Sequence, residues 1–375
     1  MKHNWEYKPI GDCFAYIKNG AIIKQEKEAG GLPVTRIETL SNGVFNRSKM
    51  GYANIFEIGK YEPNVLNNGD LLMSHINSKT YVGRTVIYES LPNEVIIHGM
   101  NLLRLIPNDA VRSKFFYYTT LSHYFKSKIV NIRKDSVNQS SFSISDLKKI
   151  SIPVPPMEVQ EQIVAELDKI NEVIADCREL LRNLDALAQS LFYDFFGDPI
   201  SNPKAWETSR FGELCKLSAG GDKPFDTQKE ISKDFNIPIY SNGIENEGLY
   251  GYTSKPRITC PAITISGRGT LGVPFIRLKP FVPIIRLIVA IPSPVVNLTF
   301  LFYMIKLLKI GGKGAAIPQL TVPMVKDLLL PVPPLELQEK FAARIEQIEE
   351  QKKAVEQTIS ELQTLLDSRM DYWFN

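Results

Sequence analysis

Cysteine is scarce in this chain of 375 residues: Cys13, Cys177, Cys215 and Cys260 lie far apart with no paired spacing, which argues against a disulfide scaffold or a cysteine-built zinc site. Histidine is equally sparse. His3, His75, His98 and His123 all fall in the first half, and none stands at metal-ligand spacing from a cysteine or carboxylate, so no metal is expected. The first ten residues, MKHNWEYKPI, lack the apolar core of a signal peptide, and with the unpaired cysteines this points to the cytosol. One charge-free run, Leu287 to Ile305, is long enough to suggest a membrane helix. Pro292 and Pro294 break it, with Ser293, Asn297 and Thr299 nearby, so it reads as a strand, a turn and an amphipathic helix, and a membrane span is rejected. What remains is a soluble globular composition, 44% apolar and 23% charged, long enough for two or three cores.

Catalytic motifs are missing as well. Gly267-Arg268-Gly269-Thr270-Leu271-Gly272 matches a dinucleotide fingerprint, but the strand-like Val273-Pro274-Phe275-Ile276 follows where a helix would have to start, so it reads as a hairpin turn. Gly311-Gly312-Lys313-Gly314 fails as a phosphate loop, since Gly314 follows the lysine and Leu307 occupies the position of the first glycine. Asn202-Pro203-Lys204 only begins like an amino-methylation motif. No cofactor and no chemistry of its own are expected.

The chain does contain a repeat. Ile152-Pro153-Val154-Pro155-Pro156-Met157-Glu158-Val159-Gln160-Glu161 recurs 178 residues later as Leu330-Pro331-Val332-Pro333-Pro334-Leu335-Glu336-Leu337-Gln338-Glu339. Upstream, Trp5-Glu6 matches Trp206-Glu207, and Ser41-Asn42-Gly43 matches Ser241-Asn242-Gly243. Each half is therefore a globular segment followed by a shared element. Residues 1–156 and 198–334 are the expected globular domains, with 157–197 and 335–375 as the shared elements.

Those elements are expected to be long helices. Ile163, Leu167, Ile170, Ile174, Cys177, Leu181, Leu184, Ala188, Leu191 and Phe195 alternate in steps of four and three. The second copy gives Phe341, Ile345, Ile348, Lys352, Val355, Ile359, Leu362, Leu366, Arg369 and Trp373, with Lys352 and Arg369 as the two departures. A stripe this narrow and sustained suits a helix partner better than a flat core, so the two helices are expected to pair antiparallel. Centring that pair symmetrically would set Arg369 opposite Leu167 and Lys352 opposite Leu184. Elsewhere, runs such as Arg84-Thr85-Val86-Ile87-Tyr88 and Ala262-Ile263-Thr264-Ile265 read as strands. Leu102–Ile106 with Phe115–Tyr118, and Ile284–Ile288 with Phe300–Tyr303, read as strand then aromatic helix, which makes both globular segments α+β.

Charge follows the same division. Residues 157–196 carry −6 and 335–374 carry −4, so the remainder carries +13 although the chain totals +3. Basic modules on acidic helices suggest that the modules meet a polyanion.

Two variable modules, each ending in "PVPPxExQE" and a heptad helix, with FFGDPISNPKAW between the halves, resemble the specificity subunits of type I restriction-modification enzymes along essentially the whole chain. The resemblance implies two target recognition domains and an antiparallel coil acting as a ruler. It further implies that double-stranded DNA is the ligand, read at two half-sites with an unread gap. DNA methyltransferase subunits and restriction/translocase subunits would be the partners, holding the chemistry with S-adenosylmethionine, ATP and magnesium. Candidate DNA contacts in the first module are His75, Asn77, Lys79 and Tyr81 on a strand-loop, and Arg133, Lys134, Ser136, Asn138 and Gln139 in a polar loop after an aromatic helix. In the second they are Arg268 and Thr270 in the glycine-rich turn, with Lys313 and Gln319 in the corresponding loop. Asn42-Gly43 and Asn242-Gly243 read as turns. A related system whose single partner both cleaves and methylates would look the same from this chain. A coiled-coil scaffold for proteins would explain the helices but not the division of charge.

Overall fold

The computed structural model describes residues 5–24, 30–137, 139–310 and 319–375, and falls into two compact units, Met1–Asp176 with Thr358–Asn375, and Cys177–Gln357. The unit boundaries cut both long helices, Met157–Phe196 and Leu335–Phe374, near their middles. Each unit thus holds one globular module and half of each helix.

The two modules share one sheet topology. In the first, Phe14–Asn19, Leu102–Pro107, Leu71–Ser74 and Thr85–Ile87 lie side by side in that order, all antiparallel. In the second the same order is filled by Cys215–Ala219, Ile288–Pro292, Ala262–Ile265 and Pro274–Arg277. The expected strand at Ile284–Ile288 is displaced: Ile284–Leu287 forms a turn and the strand runs Ile288–Pro292, because Ile285 and Arg286 take positive φ, which no strand tolerates. The glycine-rich Gly267–Gly272 is the hairpin turn expected of it, joining two antiparallel strands. Each module also closes its base with a short antiparallel pair, Glu6–Pro9 with Ser151–Val154 and Thr208–Arg210 with Leu329–Pro331.

The repeated motif docks the helix to the module through its glutamine. Gln160 is fully buried and its amide nitrogen donates to the carbonyls of Ala110 and Pro155, both at 3.0 Å, while its oxygen accepts from the Arg112 N–H at 2.9 Å. Arg112 caps the helix Ser113–Leu121, so one side chain ties two helix starts together.

In the first unit the N-terminal half of the first long helix packs Ile163 and Leu167 into the module core with Phe115, Phe116 and Leu105, and Phe374 of the second long helix joins them. Trp5 stacks on Trp373 with centroids 6.1 Å apart. In the second unit Phe192 and Phe196 sit among Phe300 and Phe341, with centroids between 4.8 and 5.9 Å. The heptad reading chose Leu191 and Phe195, yet Phe192 and Phe196 are the more deeply buried of these pairs. Here the helix faces a module as well as a helix, and burying each ring contributes about 1.5–3 kcal/mol. Gly197 ends the first long helix at φ +79°, its N–H bonded to the Tyr193 carbonyl at 2.8 Å.

Within the second unit Phe196 lies against Phe341, and further along Asp185 meets Lys352 at 2.9 Å, so the helices run antiparallel. Within the first unit Glu166 bonds both Arg369 and, at 3.0 Å, Trp373 Nε1. The two charged departures from the heptad are therefore ion-paired to the neighbours of the leucines expected opposite them. Ile163, Leu167, Ile170, Ile174, Leu184, Ile345 and Ile348 are buried, and Leu181, Leu191, Val355, Ile359, Leu362 and Leu366 are half-buried, as two helices without further cover require. Among the described residues no helix is long and apolar enough to cross a membrane.

Candidate nucleic-acid interface

The two groups of candidates in the first module meet in one small sheet. Ile76–Asn77 pairs with Ser140–Ser141, which pairs in turn with Lys134–Asp135. The polar loop after the aromatic helix is thus a tight hairpin whose tip carries the almost fully exposed Val137. A loop was expected because two-residue strands carry no readable alternation.

Within this site Asp135 organises the cations. Its carboxylate lies 2.7 Å from Arg133 Nε and 3.2 Å from Lys79 Nζ, and it accepts from Ser140 Oγ at 2.6 Å. These bonds, led by Ser140, hold the carboxyl down to about 2. Arg133 also donates to the Lys79 carbonyl at 3.3 Å and is only 17% exposed, so it braces the hairpin. Lys134 and Gln139 are exposed, and Ser136 turns its hydroxyl onto the Gln139 carbonyl at 2.7 Å. Asn77 shapes its own turn, accepting from the Ser78 N–H and donating to Ser74 Oγ. Tyr81 is 43% exposed and stacks under Arg84, whose guanidinium carbon lies 4.2 Å from the ring centroid. Lys79, Arg84, Lys126 and Arg133 line one cleft of about 690 Å3. Asn138 lies outside the described residues.

His75 differs from its neighbours. It is only 8% exposed, packs edge-on to Phe142, and has its pKa lowered by burial, so it stays neutral inside the module. Asn77 is half-buried, and the groups that meet His75, Asn19 at 3.1 Å and Phe142, lie far from it in sequence and leave no local signal.

In the second module Arg268 Nη2 lies 3.3 Å from Gln319 Oε1, and Leu320 N–H bonds the Gly267 carbonyl at 2.8 Å, which brings the hairpin turn to the later loop. Thr270 is exposed and its carbonyl accepts from Ser266 Oγ. Lys313 lies outside the described residues. Asn242, read as a turn residue, is a brace: its oxygen accepts from Gly267 N–H at 2.7 Å and its amide donates to the Ile285 carbonyl at 2.6 Å. Among the described residues no group of three or more histidine, cysteine or acidic side chains could hold a metal ion.

The model of the type I restriction modification DNA specificity domain matches residues 2–182 and again 203–364. A Methanocaldococcus jannaschii chain that carries the provisional name of type I restriction enzyme MjaX specificity subunit is 31% identical over 93% of this chain and 88% of its own length. The type I restriction enzyme MjaIX specificity subunit of the same organism is 23% identical over 92% and 86%. Among solved structures, the type I restriction-modification S subunit of M. genitalium superposes with a TM-score of 0.61 at 17% identity, covering 99% of this chain and 96% of that one. The repeat in the sequence, the matching sheets and the doubled family match agree: this chain belongs to the type I restriction modification DNA specificity family and carries two copies of its domain.

Proposed function

We propose that this protein is the sequence-recognising subunit of a type I restriction-modification system, and that it works without catalytic chemistry of its own. Each module reads one half-site of duplex DNA, and the paired helices set the length of unread DNA between them. The observation that carries this reading is the doubling: two modules of one sheet topology, each clamped by an equivalent glutamine to a helix of 40 residues. Such a helix is about 60 Å long, since it rises 1.5 Å per residue. Two modules of different surface residues on one ruler specify two unlike half-sites with fixed spacing.

The charge distribution supports the same ligand. The helices carry −10 and the rest of the chain +13, so phosphate attraction is concentrated on the modules. The exposed faces of the helices suit protein partners, the methyltransferase and restriction/translocase subunits, which supply the cofactors and the chemistry. Purified complex with its methyltransferase partner, given DNA and a methyl donor, is expected to methylate one bipartite sequence. Methylation at a continuous site, or turnover by this chain alone that one point change abolishes, would overturn the proposal.

A further inference from the structure

Each module turns tightly just before the second strand of its main sheet, and the two turns are braced alike. In the first, Met100 N–H bonds the Ala21 carbonyl at 3.0 Å, and Asn19 Nδ2 bonds the Met100 carbonyl at 2.6 Å. In the second, Ile285 N–H bonds the Gly221 carbonyl at 3.0 Å, and Asn242 Nδ2 bonds the Ile285 carbonyl at 2.6 Å. Asn19 ends one strand of the main sheet, whereas Asn242 follows a strand of a different sheet. The same clamp has thus been built from different positions, so it is not a passive copy of the repeat.

Each clamp holds outward an apolar residue followed by a polar one: Met100 and Asn101, Ile285 and Arg286. Met100 is 42% exposed and Ile285 47%, and both polar side chains are exposed. Neither Asn101 nor Arg286 forms a side-chain hydrogen bond or ion pair among the described residues. The second tip is strained: Ile285 and Arg286 have φ of +54° and +62°, closed by Leu287 N–H to the Ile284 carbonyl at 3.1 Å. Turns with two left-handed central residues ordinarily carry asparagine and glycine, and a β-branched isoleucine there is costly. Gly220 must pass close behind, since a Cβ on it would meet Ile284 N at 2.8 Å. Strain kept at an exposed tip without any packing gain marks a place where the side chains are needed outside the protein.

The geometry points to Met100–Asn101 and Ile285–Arg286 as the base-reading tips of the two modules, one for each half-site. This rests on the DNA-recognition reading above and names its specificity-determining residues. The asparagine amide offers a donor beside an acceptor, which matches the N6 and N7 edge of adenine. The arginine fork matches the O6 and N7 edge of guanine, and each apolar neighbour can meet a thymine methyl. Arginines flank both tips: Arg36, paired with Glu38 at 3.5 Å on the exposed surface, shares a cleft with Met100 and Asn101, and Arg257 lies beside Gly221. These suit phosphates, which position the tip without reading sequence.

The test uses the full chain assembled with its methyltransferase partner, selecting bound duplexes from a randomised DNA pool, for wild type and for Arg286→Lys, Arg286→Gly and Asn101→Ala. Arg286→Lys keeps the charge but loses the fork, and is expected to lower the preference at one G·C pair of one half-site about tenfold or more, leaving the other half-site unchanged. Asn101→Ala is expected to do the same at an A·T pair of the other half-site. Arg286→Gly relieves the left-handed strain and is expected to raise the melting temperature while erasing the same G·C preference. Folded variants that keep the wild-type base profile, or that lose affinity equally for all sequences, overturn the inference and leave the DNA-recognition reading standing. A wild-type complex that selects no bipartite sequence overturns that reading itself.

Discussion

Gln160 and Gln338, at the same place in the two copies of the repeated motif, are both fully buried and bond the backbone in the same way. Gln338 donates to the carbonyls of Val295 and Pro333 at 3.3 and 2.8 Å and accepts from Asn297 N–H at 2.8 Å, as Gln160 does with Ala110, Pro155 and Arg112. Asn297, like Arg112, caps the aromatic helix of its module.

Removing either amide leaves a buried N–H and two carbonyls short of a partner. Gln160→Ala and Gln338→Ala are each expected to cost about 3 kcal/mol, with Gln→Glu nearly as damaging because a buried carboxylate cannot donate to the carbonyls. Chemical denaturation of the full chain checks this; a cost under about 0.5 kcal/mol would show that the clamp is not what joins helix to module.

The Glu166–Arg369 pair is about one-third exposed at both side chains, and bonding to Arg369 first, then Trp373, lowers the Glu166 pKa. Solvent screens a pair of this kind, so Glu166→Gln is expected to cost only about 1 kcal/mol, diminishing in high salt. Arg369→Leu, which completes the apolar stripe, is expected to be neutral or mildly stabilising in thermal melts. A loss above about 3 kcal/mol for either would mean that the pair behaves as a buried one.

His98 is fully buried in the first module, bonds the Leu102 carbonyl at 2.9 Å, and is pushed by burial down to about 4. The unfolded imidazole titrates near 6.5, so above that pH both states are neutral and the fold is unaffected. As pH falls from 6.5 towards 4 the unfolded chain gains a proton that the folded module refuses, and stability drops by at most about 3 kcal/mol. His98→Gln is expected to reduce this drop in denaturation curves recorded against pH, leaving the share that buried His75 contributes in the same direction. The Arg47–Glu94 pair, with Glu94 held by Arg47 down to about 2, contributes stability that is lost as pH falls from 4.5 towards 2.

A chain cut after Gly197 is expected to pair with itself. Reversed about its centre, the first long helix opposes Ile163 with Phe195, Leu167 with Leu191, Ile170 with Ala188 and Ile174 with Leu184, all of them apolar layers. Light scattering should report a dimer, and with the methyltransferase partner it should modify an inverted repeat of the first half-site. A monomer, or a dimer that modified the asymmetric site, would count against two modules on one ruler.

The helices, their apolar stripes and the doubled plan were legible in the sequence because each depends on periodicity or repetition within one stretch of chain. The hairpin at Gly267–Gly272 was legible for the same reason: strands flank it on both sides. What the tertiary structure alone decided is which distant residues meet. Asp135 gathers Lys79 and Arg133, Asn19 and Phe142 meet His75, Phe192 and Phe196 displace their heptad neighbours as the deepest side chains, and Asn19 and Asn242 seize the same turn from unrelated strands. Each is a contact between segments far apart in sequence, fixed by packing and by the need to satisfy buried polar groups, and neither requirement leaves a local pattern to read.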